Sequence, residues 1–388
     1  MLLCSMNSEF IADVAVQEKK DSLKADAFVR PLSINVAIIQ AAYLKEKAQP
    51  SAVSVDLKDV VEGIRKYQMH PFKRPPSKRC ETVYSSGALE LHYFKAKTKA
   101  HKVERSIPAM VIVPSLINKS YILDLAQGAS FADWFAAQGC DVYVVDWGDL
   151  CADSKMHDMD DLVRDRLLLA LQYVAGKHTN VFAAGYCLGG TILAHGAPSL
   201  FPHLKGSIFL ASPFDFHAGD RTLATKINNT KAQADQLIER HGYLPSSWIQ
   251  TVFSVMNMKY SLQKFASFAA CEQGSAAEQK FVMVEDWLND GVDLPGALAQ
   301  KCVHDWYGDN QLAEKARQNN VRYDLPSLIV ASTQDKIVPM ESAIAMGALM
   351  HNHKIMSCRK GHVGMMSGQG ADEAVWKPIL NWMIERTE

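Results

Sequence analysis

NVFAAGYCLGGTILAHGA, residues 180–197, runs from an apolar, alanine-rich stretch into one of helical character through Gly185-Tyr186-Cys187-Leu188-Gly189-Gly190. Such a junction has a steric logic. A nucleophile on a sharp strand-to-helix turn is held in a strained backbone conformation, and the residues two before and two after it must be very small so that strand and helix can approach. Gly185 and Gly189 meet that demand around Cys187. The helix that follows points its N-terminus at the sulfur, which favours a thiolate and any anion formed there. The backbone N–H of Leu188 is then placed as an oxyanion donor.

Outward from the junction, short apolar runs alternate with helical stretches. AMVIV (109–113), DVYVVDW (141–147), NVFAAG (180–185), GSIFLAS (206–212), LPSLIVAS (325–332) and HKIMS (353–357) read as strands. ASFADWFAAQG (129–139), stopped by Gly139, and residues 158–176 read as helices. Val83, Leu89, Leu91 and Tyr93 alternate around a Ser-Gly turn, as in a β-hairpin. Val/Ile/Ala-rich strands with helices between them predict an α/β fold, a mostly parallel sheet covered on both faces. The stretch Pro213 to Asp324 breaks the alternation and is expected to form a helical cap above the carboxyl ends of the strands. The expected organisation is therefore a helical N-terminal region (1–78), a first part of the core (79–212), the cap (213–324) and a second part of the core (325–388). In the first region Leu32, Val36, Ile39 and Tyr43 form a helical stripe, and the Pro- and Lys/Arg-rich segment HPFKRPPSKRC reads as a solvated linker.

A nucleophile on such a turn needs a base, and the base an orienting acid. Asp335 follows the strand 325–332 in the turn TQDKIVP, the expected place for the acid. His362 lies in the glycine-rich loop after the last strand, the expected place for the base. Asp324 precedes its strand, at the wrong end of the sheet, and Asp215 after strand 206–212 is the other candidate acid. His351 and His353 are expected to face solvent. The second oxyanion N–H is expected from the loop after AMVIV, from Ile117 or, alternatively, Leu116.

The 388 residues carry 48% hydrophobic and 21% charged side chains, enough for a large core and inconsistent with a disordered or fibrous chain. Lys and Arg number 41 against 42 Asp and Glu, a balance that argues against a phosphate-neutralising nucleic-acid binder. No apolar run approaches the length of a membrane span, and the first residues do not resemble a secretory signal. The eight cysteines include no C-x-x-C pair, so no zinc site is expected, and free thiols in a reducing cytoplasm are.

The sequence resembles the catalytic part of the polyhydroxyalkanoate synthases, members of the α/β-hydrolase superfamily. GYCLGGT resembles that family's cysteine-bearing lipase-like box, VPSLINKSYILDL (113–125) the segment after its first central strand, and DVYVVDWGD (141–149) its next strand. VEDWLNDGVDLPG (284–296) resembles its cap motif, TQDKIVP (333–339) its acid turn and GHVGMMSGQGA (361–371) its histidine loop. The matches run in order over residues 80–385. The resemblance implies an α/β-hydrolase fold and an acyltransferase with Cys187 as acyl acceptor, His362 as base and Asp335 as acid. It implies a 3-hydroxyacyl coenzyme A thioester as substrate, with no further cofactor, and a polyester as product. It further implies a cytoplasmic protein at a polyester granule surface, working as a homodimer or with a second synthase subunit.

Asp124, Asp146, Trp147, Trp287, Asn289 and Asp290 read as fold-defining contacts, and Met256, Met258 and Tyr260 as packing or an acyl-channel wall. Three alternatives share the motif: a thiol esterase or lactone hydrolase of the dienelactone hydrolase type, an intracellular polyester depolymerase, and an inactive granule-associated homologue.

Overall fold

The computed structural model describes residues 30–32, 35–36, 39–40, 43, 55–75, 77–97, 108–153, 158–256 and 258–387, without the side chains of 255, 256 and 258. Two compact units emerge. One gathers Ser77–Lys231 and Leu294–Glu388, the other Met1–Pro76 and Ala232–Asp293. The division differs from the sequence-based one. The stretch 213–324 is not a single insertion, since its two ends group with the sheet and its middle groups with the N-terminal region.

The first unit is built on eight strands: β1 Glu81–Ser86, β2 Leu89–Phe94, β3 Ala109–Val113, β4 Asp141–Asp146, β5 Val181–Tyr186, β6 Gly206–Leu210, β7 Ser327–Ser332 and β8 His353–Cys358. Their spatial order is β1-β2-β4-β3-β5-β6-β7-β8. β1 and β2 form the expected antiparallel hairpin around Gly87, whose φ of 59° is the left-handed value a tight turn asks of glycine. β2 joins β4 antiparallel, and every later pairing is parallel. This is the α/β sheet that the sequence predicts.

The central strands β3, β5, β6 and β7 are buried at every residue. That explains their unbroken apolar character, because helices cover both faces and no solvent side remains to ask for alternation. β8 is the edge, exposed along most of its length. After β3 the chain steps outward to β4 and then returns to β5 on the other side of β3. The β3/β5 boundary is therefore the switch point, where the loops leaving two neighbouring strands diverge and open a crevice at their carboxyl ends.

In the second unit, helix Leu57–Gln68 packs against helix Met258–Ala269 through Gly63. A Cβ there would stand 1.9 Å from the Phe265 carbonyl oxygen, so only glycine permits the approach. Val60, Ile64, Tyr67, Leu262, Phe265, Phe268 and Val282 form the shared core. Beside it lies a buried polar cluster. Asp286 accepts from Tyr67 Oη at 2.8 Å and from Arg30 Nε at 2.7 Å, and the Arg30 guanidinium lies 4.8 Å from the Tyr67 ring centre. Arg30 also donates to the carbonyls of His70 and Phe72, so the start of the Pro-rich segment, read above as a solvated linker, is pinned. Its far end is pinned within the sheet unit by Arg79, which donates to Asp124 at 2.7 Å.

The stripe expected in the first region is buried only in part. Ile39 is half-buried against the shared core, whereas Leu32, Val36 and Tyr43 are helical but exposed and Asn35 is buried, donating to the Pro31 carbonyl. One residue of offset turns a helix by about 100°, enough to exchange the two faces.

Asp286→Ala leaves the Arg30 charge without its partner and should lower the unfolding free energy by about 3 kcal/mol. Tyr67→Phe removes one hydrogen bond and should cost about 1 kcal/mol. Both are read from urea unfolding curves.

Candidate active site

Cys187 follows β5 directly and precedes the helix Leu188–His195, with φ 54° and ψ −129°. For a residue with a side chain this conformation costs about 1–3 kcal/mol and persists only where the surroundings over-determine it. Here they do. A Cβ on Gly185 would stand 2.3 Å from Gly190 Cα, one on Gly189 would stand 2.0 Å from the Val113 carbonyl oxygen, and one on Gly190 would stand 2.0 Å from Ser212 Oγ. Cys187 N–H donates to the Leu210 carbonyl at 2.9 Å, and Thr191 Oγ1 to that of Pro213 at 2.6 Å, tying the turn to the strand beside it. The sequence predicted two required glycines, and the structure adds Gly190 as a third.

His362 and Asp335 arrive from the loops after β8 and β7. Their side chains meet at 2.7 Å, Nδ1 to Oδ2, with both residues buried. The other Asp335 oxygen accepts from the backbone N–H groups of Ile337 at 2.8 Å and Val338 at 3.0 Å. Burial alone would raise the Asp335 pKa. The charge and hydrogen bond of His362, with the Val338 and Ile337 amides, overcome this and hold it below the usual carboxylate value. Burial alone would lower the His362 pKa. The Asp335 carboxylate, by charge and hydrogen bond, and the Cys187 side chain outweigh it and raise the ring to about 10. The imidazolium form of His362 is thus favoured.

The rival acids lie elsewhere. Asp324 is exposed ahead of β7. Asp215 is held by Arg317, by Asn310 Nδ2 at 2.7 Å and by the His217 amide at 3.0 Å. His351 and His353 are exposed, as expected.

Leu188 opens its helix, so its N–H has no acceptor within the helix and is available at the crevice. Across the switch point, the loop after β3 is braced by Trp147, whose Nε1 donates to the Pro114 carbonyl at 3.2 Å. Ile117 N–H makes a long 3.4 Å bond to Ser115 Oγ, while Leu116 is fully buried.

Two supporting residues escaped sequence reasoning. Tyr186, fully buried, packs at a tilt against the His362 ring with centres 5.0 Å apart and donates to the His362 carbonyl at 3.3 Å. Ser332 donates to the Lys360 carbonyl and accepts from the Gln334 amide, linking the acid loop to the histidine loop. Tyr186 stands inside the box itself, but no periodicity marks a ring that will meet another 176 residues away.

The residues read as fold-defining behave so. Asp124 accepts from Ser77 and Arg79, Asp146 from Ser120 and the Gly148 amide, and Asn289 donates to the Glu285 carbonyl. Trp287 is buried. Tyr260 is exposed, and the side chains of Met256 and Met258 lie outside the described residues.

No protein-family model matches the chain. Among curated proteins it is similar to the poly(3-hydroxyalkanoate) polymerase subunit PhaC of Haloferax mediterranei, 26% identical over 324 residues, covering 79% of this chain and 64% of that one. It is also similar to the subunit of the same name from Synechocystis, 24% identical over 324 residues, covering 79% of this chain and 84% of that one. Over most of its length the chain is thus similar to polyhydroxyalkanoate polymerase subunits. It spans 64% of the length of the Haloferax subunit. Its sheet is that of the α/β-hydrolases: a soluble variant of monoglyceride lipase from Saccharomyces cerevisiae superposes with a TM-score of 0.50 at 12% identity, covering 82% of this chain and 98% of the lipase.

Gly189→Ala drives a Cβ into two backbone carbonyls and should cost about 3 kcal/mol of stability by overpacking, read from urea unfolding. The His362–Asp335 pair sets a pH signature. His362 has a raised pKa in the folded protein, so its stabilisation is complete below about 6.5 and is lost as pH rises through about 10. Asp335 has a lowered one, so its stabilisation is present above about 3.9 and is lost as pH falls. The excess melting temperature of the native protein over His362→Asn should be greatest between about pH 4 and 6.5 and shrink toward pH 10.

Proposed function

We propose that this chain is a cysteine acyltransferase that polymerises 3-hydroxyacyl coenzyme A thioesters into a polyester and releases coenzyme A. The reading rests on Cys187 on a strand-to-helix turn with φ 54° and on a buried His362 whose Nδ1 is 2.7 Å from Asp335. Relatives named as polymerase subunits support the substrate class.

The chemistry suits the residues. The Cys187 thiolate attacks the thioester carbonyl, and the negative charge passes to the carbonyl oxygen, held by the N–H of Leu188 and of Ile117 or Leu116. Collapse expels coenzyme A thiolate, which takes its proton from the His362 imidazolium, and leaves an acyl group on Cys187. One thioester replaces another, so this step is nearly balanced. His362 then removes the proton from an incoming 3-hydroxyl, whose oxygen takes the acyl group as an ester and returns the thiolate. Asp335 orients the ring and stabilises its positive form throughout. We place the protein in the cytoplasm at a polyester surface, as a homodimer or beside a second subunit. The word "subunit" in the relatives' names favours the latter.

Purified protein given 3-hydroxybutyryl coenzyme A should release coenzyme A and form insoluble polymer, and Cys187→Ala should do neither. Free 3-hydroxybutyrate as the sole product would make the protein a hydrolase instead. Activity surviving in Cys187→Ala would remove the sulfur from the mechanism.

A further inference from the structure

The loop that leaves β3, Pro114 to Ser120, is gripped from two sides, and the outer grip is made by two successive residues of another strand. On the inner side stands the Cys187 turn. β3 and β5 pair in parallel with Val113 opposite Gly185, so the loop starts level with the turn. A Cβ on Gly189 would stand 2.0 Å from the Val113 carbonyl oxygen and 2.7 Å from that of Pro114, so the loop and the helix after Cys187 are in contact. On the outer side stands the end of β4. It pairs with β3 in parallel, with Ile112 opposite Val144, and continuing that register sets Asp146 beside Pro114. Trp147 Nε1 donates to the Pro114 carbonyl at 3.2 Å, with the indole buried. Asp146 takes the other end of the loop. Its Oδ2 accepts from Ser120 Oγ at 2.5 Å, and Ser120 is itself buried.

Asp146 is in turn held in place. Its Oδ1 accepts from the Gly148 amide at 2.9 Å, and His92 Nε2 on β2 lies 3.7 Å from Oδ2. Burial alone would raise its pKa, but His92, Ser120 and the Gly148 amide overcome this and hold it at about 2. The bond from Ser120 is therefore one to a charged carboxylate, stronger than a bond between neutral groups. Neither grip is needed to close the sheet, because the β3–β4 ladder ends at Ile112 and Val144. Both act beyond it, on the loop.

Between the two grips lie five residues, Ser115 to Lys119, and among them are both candidates for the second oxyanion donor, Leu116 and Ile117. A backbone N–H stabilises an oxyanion strongly only if it is already aimed at the place where the charge will develop. A loop fixed at one end can swing. Fixed at both ends by side chains of one strand, it presents its amides in a single arrangement.

Building on the acyltransferase reading, we infer that Asp146 and Trp147 are positioning residues for the oxyanion hole. Trp147 through Pro114, and Asp146 through Ser120, hold the loop so that its N–H meets the thioester carbonyl oxygen as that oxygen takes up negative charge. Their effect falls on the steps in which a carbonyl is attacked, and not on the reactivity of the sulfur in itself.

The test separates the oxyanion hole from the sulfur. Alkylation of Cys187 by iodoacetamide displaces iodide at a saturated carbon and forms no oxyanion, whereas release of coenzyme A from 3-hydroxybutyryl coenzyme A passes through one. Single-turnover release is measured against substrate concentration, and alkylation is followed on the Cys187 peptide by mass spectrometry. The proteins compared are the native one, Ser120→Ala, Ser120→Thr and Trp147→Phe. Ser120→Ala and Trp147→Phe should label at the native rate and half-saturate at the native concentration, yet release coenzyme A more slowly by about tenfold or more. Ser120→Thr, which keeps the hydroxyl, should recover most of the loss. Ser120→Ala removes a single oxygen, so the grip at the far end is tested even where Trp147→Phe does not fold. Native release in either folded variant, or a fall in labelling as large as the fall in release, overturns the inference and leaves the acyltransferase reading in place. No release of coenzyme A by the native protein overturns both.

Discussion

The crowding around the Cys187 turn governs everything built on it. Carbonyl oxygens of Val113 and Pro114 press on Gly189 from the neighbouring strand, Ser212 presses on Gly190 from the other side, and Gly185 and Gly190 press on each other. Only hydrogen atoms fit in these gaps, so strand and helix close to a distance that leaves Cys187 no relaxed conformation. The unfavourable backbone is stabilised by burial of the strands on either side. The His362–Asp335 pair can then be supplied from loops far along the chain, because the turn fixes the point at which they must converge.

Much of this was legible in the sequence, for a physical reason. Glycine where a Cβ cannot fit, apolar runs where both sheet faces are covered, and polar side chains immediately after a strand are local signatures, and each can be read within a few residues. Every strand of the eight-stranded sheet, the Gly139 helix stop, the turn at Cys187 and the loops that carry Asp335 and His362 come from such signatures. What stayed hidden depends on distant chain segments. Tyr186 under His362 and Ser332 bridging two loops are ordinary residues whose roles arise only when separate loops meet.

The same contrast explains the N-terminal region. Its apolar positions have helical spacing, but spacing does not say which face a neighbour will cover. In the structure the covered face carries Asn35 beside Ile39, and the region is also held by polar links, through Arg30 to Asp286 and the carbonyls of His70 and Phe72. Periodicity cannot announce such links. A charged side chain becomes interior only because a second charge, far along the chain, is already there to receive it. Gly63 against Phe265 follows the same logic in backbone form, since the absence of a side chain is meaningful only once the opposing helix is known.

The π geometry of Lys301–Gly308 has a consequence for descent as well as for shape. Such a turn is an α-helical turn widened by one inserted residue, at the expense of well-made internal hydrogen bonds. Deleting a single residue upstream of Trp306 would restore the narrower winding and rotate everything after it by about 100°, swinging Tyr307 and Asn310 away from Phe216 and Asp215 while leaving the helix itself better formed. A shorter-wound relative would thus have the sturdier helix and yet have lost its ties to the loop after β6.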